Sequence, residues 1–594
     1  MMYVVSSSSS SPPISFPPLP KPRNPQIPTN LTAQTSSSSS YQSNINGAAI
    51  DATAAAVIRT STALTKHSLL TTIFKSMDDL ICTFMDASPL PPSIDPRRVL
   101  SGNFAPVGEL PPTPCRVADG GALPAALDGA YIRNGPNPQF VPATGPYHLF
   151  DGDGMLHCVR ISDGTATFCS RYVRTHKFVV EMELGHPILP SPFSSFNGLW
   201  ASLARSAMAV ARAAAGFFDP RRTGFGTANT SLALIGGRLF ALCETDLPYA
   251  VKVTPAGDIV TGGRQGFDSG AGDPPLRMTA HPKTDPATRE TFAFSCDIFP
   301  PFLTFFKIDS RRSKLAVAAG GGCGVAISTA GPSFVHDFAV TERFIVFEDI
   351  QVVVRAAEIV RGRSPVVYDG GKRPRVGILP RRAEDERELV WVEAPGFNMM
   401  HVINAWDEDS GGRVVVVAPN VLSIEDGLER ISSFRSVVER VAIDVRTKEV
   451  VGRQALCPKM NLEFGVINPA YAGKQNRYVY AAIIEEMPKA AGIVKLDLQS
   501  PTTWPDCTVA SRVYGPGCYG GEPQFVARDP ETPGAAEDDG YLVTYMHDEH
   551  REESWLLIMD AKSEDLDIVA KVRLPGRVPY GFHGLFVKES YLIN

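Results

Sequence analysis

The stretch "SLALIGGRLFAL", residues 231–242, is two short apolar runs joined by Gly236 and Gly237. Each run is too short for a stable helix, and two glycines supply the positive φ that a tight two-residue connection between antiparallel strands requires. The stretch therefore reads as a β-hairpin. The same texture recurs beyond Pro111 in "AVKVTPAGDIVTGG" (250–263), "RFIVFEDIQVVV" (343–354), "RVAIDVRTKEVVGR" (440–453), "YLVTYMHD" (541–548), "SWLLIMDAK" (554–562) and "DIVAKVRL" (567–574). Helical periods are scarce there. Many short strands linked by turn signals predict an all-β chain, a propeller or a large barrel. No WD or kelch signature fixes a blade count.

The chain has 594 residues, 44% hydrophobic and 20% charged, a composition able to bury a sizeable core. Its 57 basic and 63 acidic residues give a net charge of -6, with no basic surplus for a phosphate backbone, so nucleic acid is excluded as an expected partner. Ten cysteines are scattered without a C-x-x-C pair, which argues against a disulfide-stapled module and fits a reducing intracellular compartment. The first fifty residues hold thirteen Ser and eight Pro and no acid, a composition that predicts disorder and suits a plastid transit peptide over residues 1–57. Segment 58–94 carries an amphipathic helix, with Leu69, Leu70, Ile73, Phe74, Met77, Leu80, Ile81 and Phe84 at spacings of three and four. A second helical segment, 198–218, is alanine-rich and interrupted by Arg205 and Arg212. Neither offers an apolar run long enough to span a bilayer. Each can pack on the protein body or lie on a membrane surface with its cations at the headgroups.

Four histidines sit beside strand-like runs: His281 in "RMTAHPK", His336 in "PSFVHDF", His401 in "NMMHVINAW" and His583 in "PYGFHGLF". Their separations of 55, 65 and 182 residues are too wide for a local finger or an H-E-x-x-H helix, so only tertiary closure can bring them together. A propeller provides it, because its inner strands point at one axis and its last segment completes the first blade. Four neutral imidazoles suit Zn, Cu, Fe and Ni alike. Ligating imidazoles normally donate their other N–H to a carboxylate. Glu244 in "ALCETDLPY", Glu463 in "NLEFGVINP" and Glu522 in "GGEPQF" are acids in apolar or Gly-Pro settings that need such a partner. Met400, Phe464 and Phe582, adjacent to these residues, are candidate walls of a binding cavity. The repeated Asp-Gly of "FDGDGMLH" (150–157) reads as a hairpin turn, since it lacks the later acids of a calcium loop. Neither a G-x-S-x-G elbow nor a P-loop occurs.

At these residues the sequence resembles the plant carotenoid cleavage dioxygenases over residues 95–594. The likeness rests on "GAYIRNGPNPQF", "PYHLFDGDGMLH", "LCETDLPY", "TAHPK", "FVHDF", "HVINAW", "INPAY", "GGEPQF" and "PYGFHGLF", which occur in family order. It implies a seven-bladed β-propeller with a dome of helices and loops, including 198–218, over one axial Fe(II). His281, His336, His401 and His583 match the iron ligands, and Glu244, Glu463 and Glu522 match the acids behind them. The implied reaction uses dioxygen to cleave a carotenoid double bond, the tunnel walls choosing the bond. Within the family, "GPYHLFDGDGMLH" and "GTANTSLAL" are most similar to the fourth plant class, plastid enzymes that cut at the 9,10 (9′,10′) bond. The 9-cis-epoxycarotenoid dioxygenases of abscisic acid synthesis usually carry Ala-Gly-Met where this chain has Phe464, Gly465 and Val466. That class, and a non-catalytic carotenoid-binding propeller, are the alternative readings. The resemblance further implies a monomer at a plastoglobule or thylakoid surface.

Overall fold

The computed structural model describes residues 68–592 apart from short breaks at 87–88, 142–144, 192, 220–221, 268–276, 310–313, 316–323, 426–429, 500–505, 531 and 533. The chain divides into two units, Met1–Lys66 and His67–Asn594. The transit-peptide reading of 1–57, and residues 58–67 of the helix reading, lie outside the described residues.

Antiparallel strands dominate. Ser231–Ile235 and Arg238–Leu242 pair from Ser231↔Leu242 to Ile235↔Arg238, with φ of 58° and 75° at Gly236 and Gly237, so the hairpin forms where the glycines predict it. Antiparallel sheets begin at the edge strands Ser231–Ile235, Lys283–Thr284, Phe338–Val340 and Asn404–Glu408; Val352–Val354 pairs only with Val366–Tyr368; one ten-stranded sheet, joined through Cys518–Gly520, holds the strands led by Leu462–Val466 and Gln524–Ala527; and a further sheet begins at Gly584–Lys588. The last of these is the final strand of the chain, and it belongs to the first sheet. It pairs antiparallel with Gly129–Asn137, from Gly129↔Lys588 to Arg133↔Gly584. At the other end, Arg116–Val117 pairs with Ile568–Arg573. An early strand and the final strand of the described residues are thus each sewn into a sheet with strands remote in sequence.

Side-chain alternation gives each strand group two apolar faces, and each face packs on a neighbour. Ile132 and Leu156 of the first sheet meet Leu239 and Val251 of the second, and Phe240 and Leu242 of the second meet Phe306 and Ile308 of the third. Phe294 and Phe305 meet Phe338 and Phe347; Val346 and Ile378 meet Val414 and Val416; Val415 and Val438 meet Leu462 and Val479. Tyr480 and Ile493 then meet Phe525 and Leu542, and Val543 and Leu556 return to Tyr131 and Phe168 of the first sheet. The packing order closes on itself.

The three longest helices among the described residues lie outside this ring: α1 (Ser68–Phe84), α2 (His176–Leu184) and α3 (Leu199–Ala214). The 58–94 segment is helical only to Phe84, after which a single turn at Pro92–Ile94 follows. Phe74 and Ile81 of α1 pack against Ala201 and Met208 of α3. Arg205 and Arg212 do not face outward as headgroup-binding cations. Arg205 pairs with Asp86 at 2.5 Å, Arg212 pairs with Asp78, and Arg212 is only 4% exposed. A guanidinium drawn into an apolar helix pair needs a carboxylate there, and α1 supplies Asp78 while the turn after it supplies Asp86. The outer faces keep Ile73, Leu80, Phe84, Trp200 and Val210 exposed. No helix among the described residues is long and apolar enough to cross a membrane.

The Asp-Gly repeat is not a hairpin turn. Leu149–Asp151 forms one helical turn and the strand Asp153–Ser162 begins directly after it. A Cβ at Gly154 would stand 2.3 Å from the carbonyl oxygen of Ala228, so glycine is required there by a neighbouring backbone.

Phe305 is buried among Phe294, Phe338 and Phe347, with ring centroids 5.5, 5.6 and 4.7 Å away. Phe305→Ala should destabilise the chain by about 3–5 kcal/mol, the range for emptying such a site. Guanidinium unfolding followed by tryptophan fluorescence measures it.

Candidate metal centre

Each of the four histidines stands just ahead of an edge strand. His281 precedes Lys283–Thr284, His336 precedes Phe338–Val340, His401 precedes Asn404–Glu408 and His583 precedes Gly584–Lys588. Four different sheets therefore deliver one imidazole each. One ligand-capable atom from each residue lies within 4.8 Å of all the others. The rings meet edge to face, with centroids 4.6 Å apart for His281 and His336, 4.6 Å for His281 and His583, and 5.1 Å for His401 with either His336 or His583.

The three glutamates occupy the outer side. Nδ1–H of His401 donates to both carboxylate oxygens of Glu463 at 3.1 Å, and Nδ1–H of His583 donates to Oε1 of Glu522 at 3.0 Å. Glu244 lies 2.9 Å from Nδ1 of His336, an ion-pair approach from off the N–H axis. The carboxylates are themselves held, Glu463 by the Phe464 N–H at 2.5 Å and Glu522 by the Gly584 N–H at 2.9 Å. A neutral ring whose Nδ1–H is committed to a carboxylate, as in His401 and His583, keeps the Nε2 lone pair free for a metal ion. Burial raises the Glu463 and Glu244 carboxyls, but the imidazoles beside them hold both below the ordinary range. Burial lowers His401, yet Glu463 outweighs it and brings the ring up to about 9. His281, which none of the three glutamates reaches, is pushed well below the ordinary value, first by burial and then by the neighbouring imidazoles.

This donor set fits a metal ion. Nε2 of His401 is enclosed and has no hydrogen-bond partner among the described residues. Nε2 of His281 and Nε2 of His336 face each other at 3.1 Å. Two imidazole nitrogens bound side by side to one ion at about 2.1 Å stand about 3 Å apart. An all-imidazole ring leaves a divalent ion its full charge, and the glutamates place negative charge one bond further out.

A cavity of ≈ 380 Å³ opens onto this cluster, lined by His336, His401 and His583. Met400, Phe464 and Phe582, the three wall candidates, all line it. The Phe464 ring lies 6.1 Å from that of His401 and 5.8 Å from that of His583. It sits at an irregularity in the pairing of Leu462–Val466, with φ of 52°, a left-handed conformation that is strained for a bulky residue. Phe150, Phe193 and Phe334 also line the cavity, and sequence reasoning missed them. Phe150 closes the aromatic run "PYHLF" and packs on Phe582 at 5.3 Å, a contact between the first and last sheet elements that no local pattern announces.

A β-rich ring carrying four converging imidazoles beside a largely apolar cavity is an arrangement that could hold a metal ion next to an apolar ligand. The chain belongs to the family described as retinal pigment epithelial membrane protein, whose model matches residues 104–588. It is 56% identical over 529 residues to the probable carotenoid cleavage dioxygenase 4, chloroplastic, of Arabidopsis thaliana, covering 88% of this chain and 86% of that protein. It is 51% identical over 534 residues to the chloroplastic 9-cis-epoxycarotenoid dioxygenase NCED1 of Oryza sativa subsp. japonica, covering 88% and 81%. Among solved structures, a variant of the Synechocystis apocarotenoid oxygenase matches with a TM-score of 0.67 at 25% identity, over 84% of this chain and 99% of that one.

Glu463→Gln keeps the size of the side chain and removes the charge facing His401. It should weaken metal retention about 10- to 100-fold, the usual effect of losing a carboxylate behind a ligating imidazole. Competition with a chelator, read by metal analysis, checks this.

Proposed function

We propose that the chain is a plastid carotenoid cleavage dioxygenase that holds one Fe(II) on His281, His336, His401 and His583 and cuts the 9,10 (9′,10′) double bond of its substrate. The observation that carries this reading is the meeting of four imidazoles from four sheets at the foot of an apolar cavity, with three of them backed by carboxylates. The fold that delivers them is read as a seven-bladed β-propeller, supported by the cyclic order in which neighbouring strand groups pack and by the pairing of the last strand with the first sheet. The helices and loops above it form the dome.

His281, His336, His401 and His583 would hold a ferrous ion, which would supply dioxygen activation for a reaction in which the two oxygen atoms become the carbonyl oxygens of the two halves of the cleaved carbon–carbon double bond. The protein contributes position and neutrality. Glu244, Glu463 and Glu522 orient the rings and offset the charge of the ion. Phe150, Phe464 and Phe582 present flat apolar surface to a rigid polyene, and because no acid or base is needed, the bond that lies against the metal is the bond that reacts. Phe464 stands where epoxycarotenoid enzymes usually carry alanine, and with the sequence likeness to the fourth class it supports 9,10 cutting over the abscisic acid reaction.

The substrate dissolves in lipid. The exposed outer faces of α1 and α3 are read as the surface that dips into a thylakoid or plastoglobule leaflet, from which a monomeric enzyme draws its substrate.

His336→Ala should abolish conversion of β-carotene to shorter carbonyl products and lower the iron content. Chromatography of the products and metal analysis of the same sample check both, and an active variant with normal iron would contradict the ligand role. Leu80→Glu with Phe84→Glu should stop the chain from floating with phosphatidylcholine vesicles while leaving cleavage of detergent-dispersed β-carotene unchanged, as a flotation assay beside the product assay will show.

A further inference from the structure

The three glutamates serve three imidazoles and leave His281 to be placed by other means. Those means are on the opposite side of the cluster. Oγ1 of Thr279, two residues before His281, accepts the His281 N–H at 3.0 Å and donates to the His336 carbonyl at 3.4 Å. Nζ of Lys283, two residues after His281, pairs with Oδ1 of Asp337 at 2.7 Å. Asp337 is the residue directly after His336. Its Oδ1 also accepts its own chain's Phe338 N–H at 2.7 Å, and its Oδ2 accepts the N–H of Val402, directly after His401, at 2.8 Å. The carboxylate is buried, at 3% side-chain exposure, while Lys283 keeps 31%.

We infer that Asp337 is a positioning residue that ties the segments carrying His281, His336 and His401 into one frame, with Lys283 as its strap to His281 and Thr279 as a separate link between His281 and the His336 carbonyl. This rests on the reading of the cluster as the metal site and extends it to how the fourth imidazole is held. The argument is one of geometry. Each ligand precedes an edge strand of a different sheet, and sheets that touch only through apolar side chains can slide by fractions of an ångström at little cost. A metal site tolerates less than that, since ligating groups must be held within about 0.5 Å of their working positions. Charge-assisted hydrogen bonds from one buried carboxylate to two other segments remove that freedom, being short, directional and roughly twice as strong as neutral ones. The glutamates aim the rings; Asp337 aligns the backbones that carry three of them.

The test uses the iron-loaded chain. Asp337→Ala removes the three contacts of its own carboxylate and leaves those of Thr279 in place, Lys283→Met removes only the Lys283 strap, and Asp337→Asn keeps an acceptor for the Val402 N–H. Iron loss to a ferrous chelator should be about 10- to 100-fold faster in Asp337→Ala, as for other residues that orient ligands, with Lys283→Met between it and the parent and Asp337→Asn recovering part of the loss. The visible bands of the cobalt(II)-substituted chain should change in Asp337→Ala and in Lys283→Met. A merely structural role would lower the unfolding temperature and leave both readouts at the parent's values in the folded protein, and that result would overturn the inference. Should Asp337→Ala fail to fold, Lys283→Met and Asp337→Asn decide the matter by the same two readouts. His336→Ala run in parallel separates the two readings, because retention of iron there would refute the metal site itself.

Discussion

On the function proposed above, the structure answers the demand of placing a doubly charged ion inside a protein with neutral ligands only. A buried charge must be met by polar groups, and here the inner layer is imidazole while negative charge stands directly behind it, Glu463 and Glu522 hydrogen-bonded to His401 and His583 and Glu244 2.9 Å from Nδ1 of His336. That arrangement would keep the ion electrophilic. It also requires that four rings from remote parts of the chain be fixed in place before any ion arrives, since no carboxylate arm is available to reach out and adjust.

The fold answers that demand by closure. His583 comes eleven residues before the end because the final strand, Gly584–Lys588, lies beside Gly129–Asn137 and completes the first sheet. The Asn134 N–H donates to the His583 carbonyl at 2.9 Å, so the pairing that closes the chain also seats the last ligand. Packing between successive strand groups, most densely aromatic around Phe305 and Phe347, gives the closed arrangement its rigidity. On the cavity side stand Phe464, on the edge strand Leu462–Val466, and Phe582, directly before His583.

Much of this was legible in the chain itself. Gly236 and Gly237 declare a hairpin because their conformational freedom is a local property, and the acids at 244, 463 and 522 stand out because an unpaired carboxylate in an apolar run is physically improbable. The same signal marked Asp337 in "FVHDF" and went unread, its partners Lys283 and Val402 being distant in sequence. Which glutamate serves which histidine is a matter of sheet order and has no local trace. Arg205 and Arg212 were misleading for a related reason: a cation on an amphipathic helix looks solvent-facing until Asp78 of a second helix and Asp86 just beyond its end are brought against it. The glycines of "FDGDGMLH" resemble turn glycines because sequence shows the residue and not the Ala228 carbonyl that forbids a side chain.

The central claim is that a single ferrous ion sits on four imidazoles and on no other protein group. Anomalous diffraction at the iron edge from crystals of the iron-loaded chain tests it most directly. The account predicts one peak per chain, within bonding distance of Nε2 of His281, His336, His401 and His583. A peak elsewhere, or a carboxylate or thiolate bound to the ion in place of one of those rings, would contradict it.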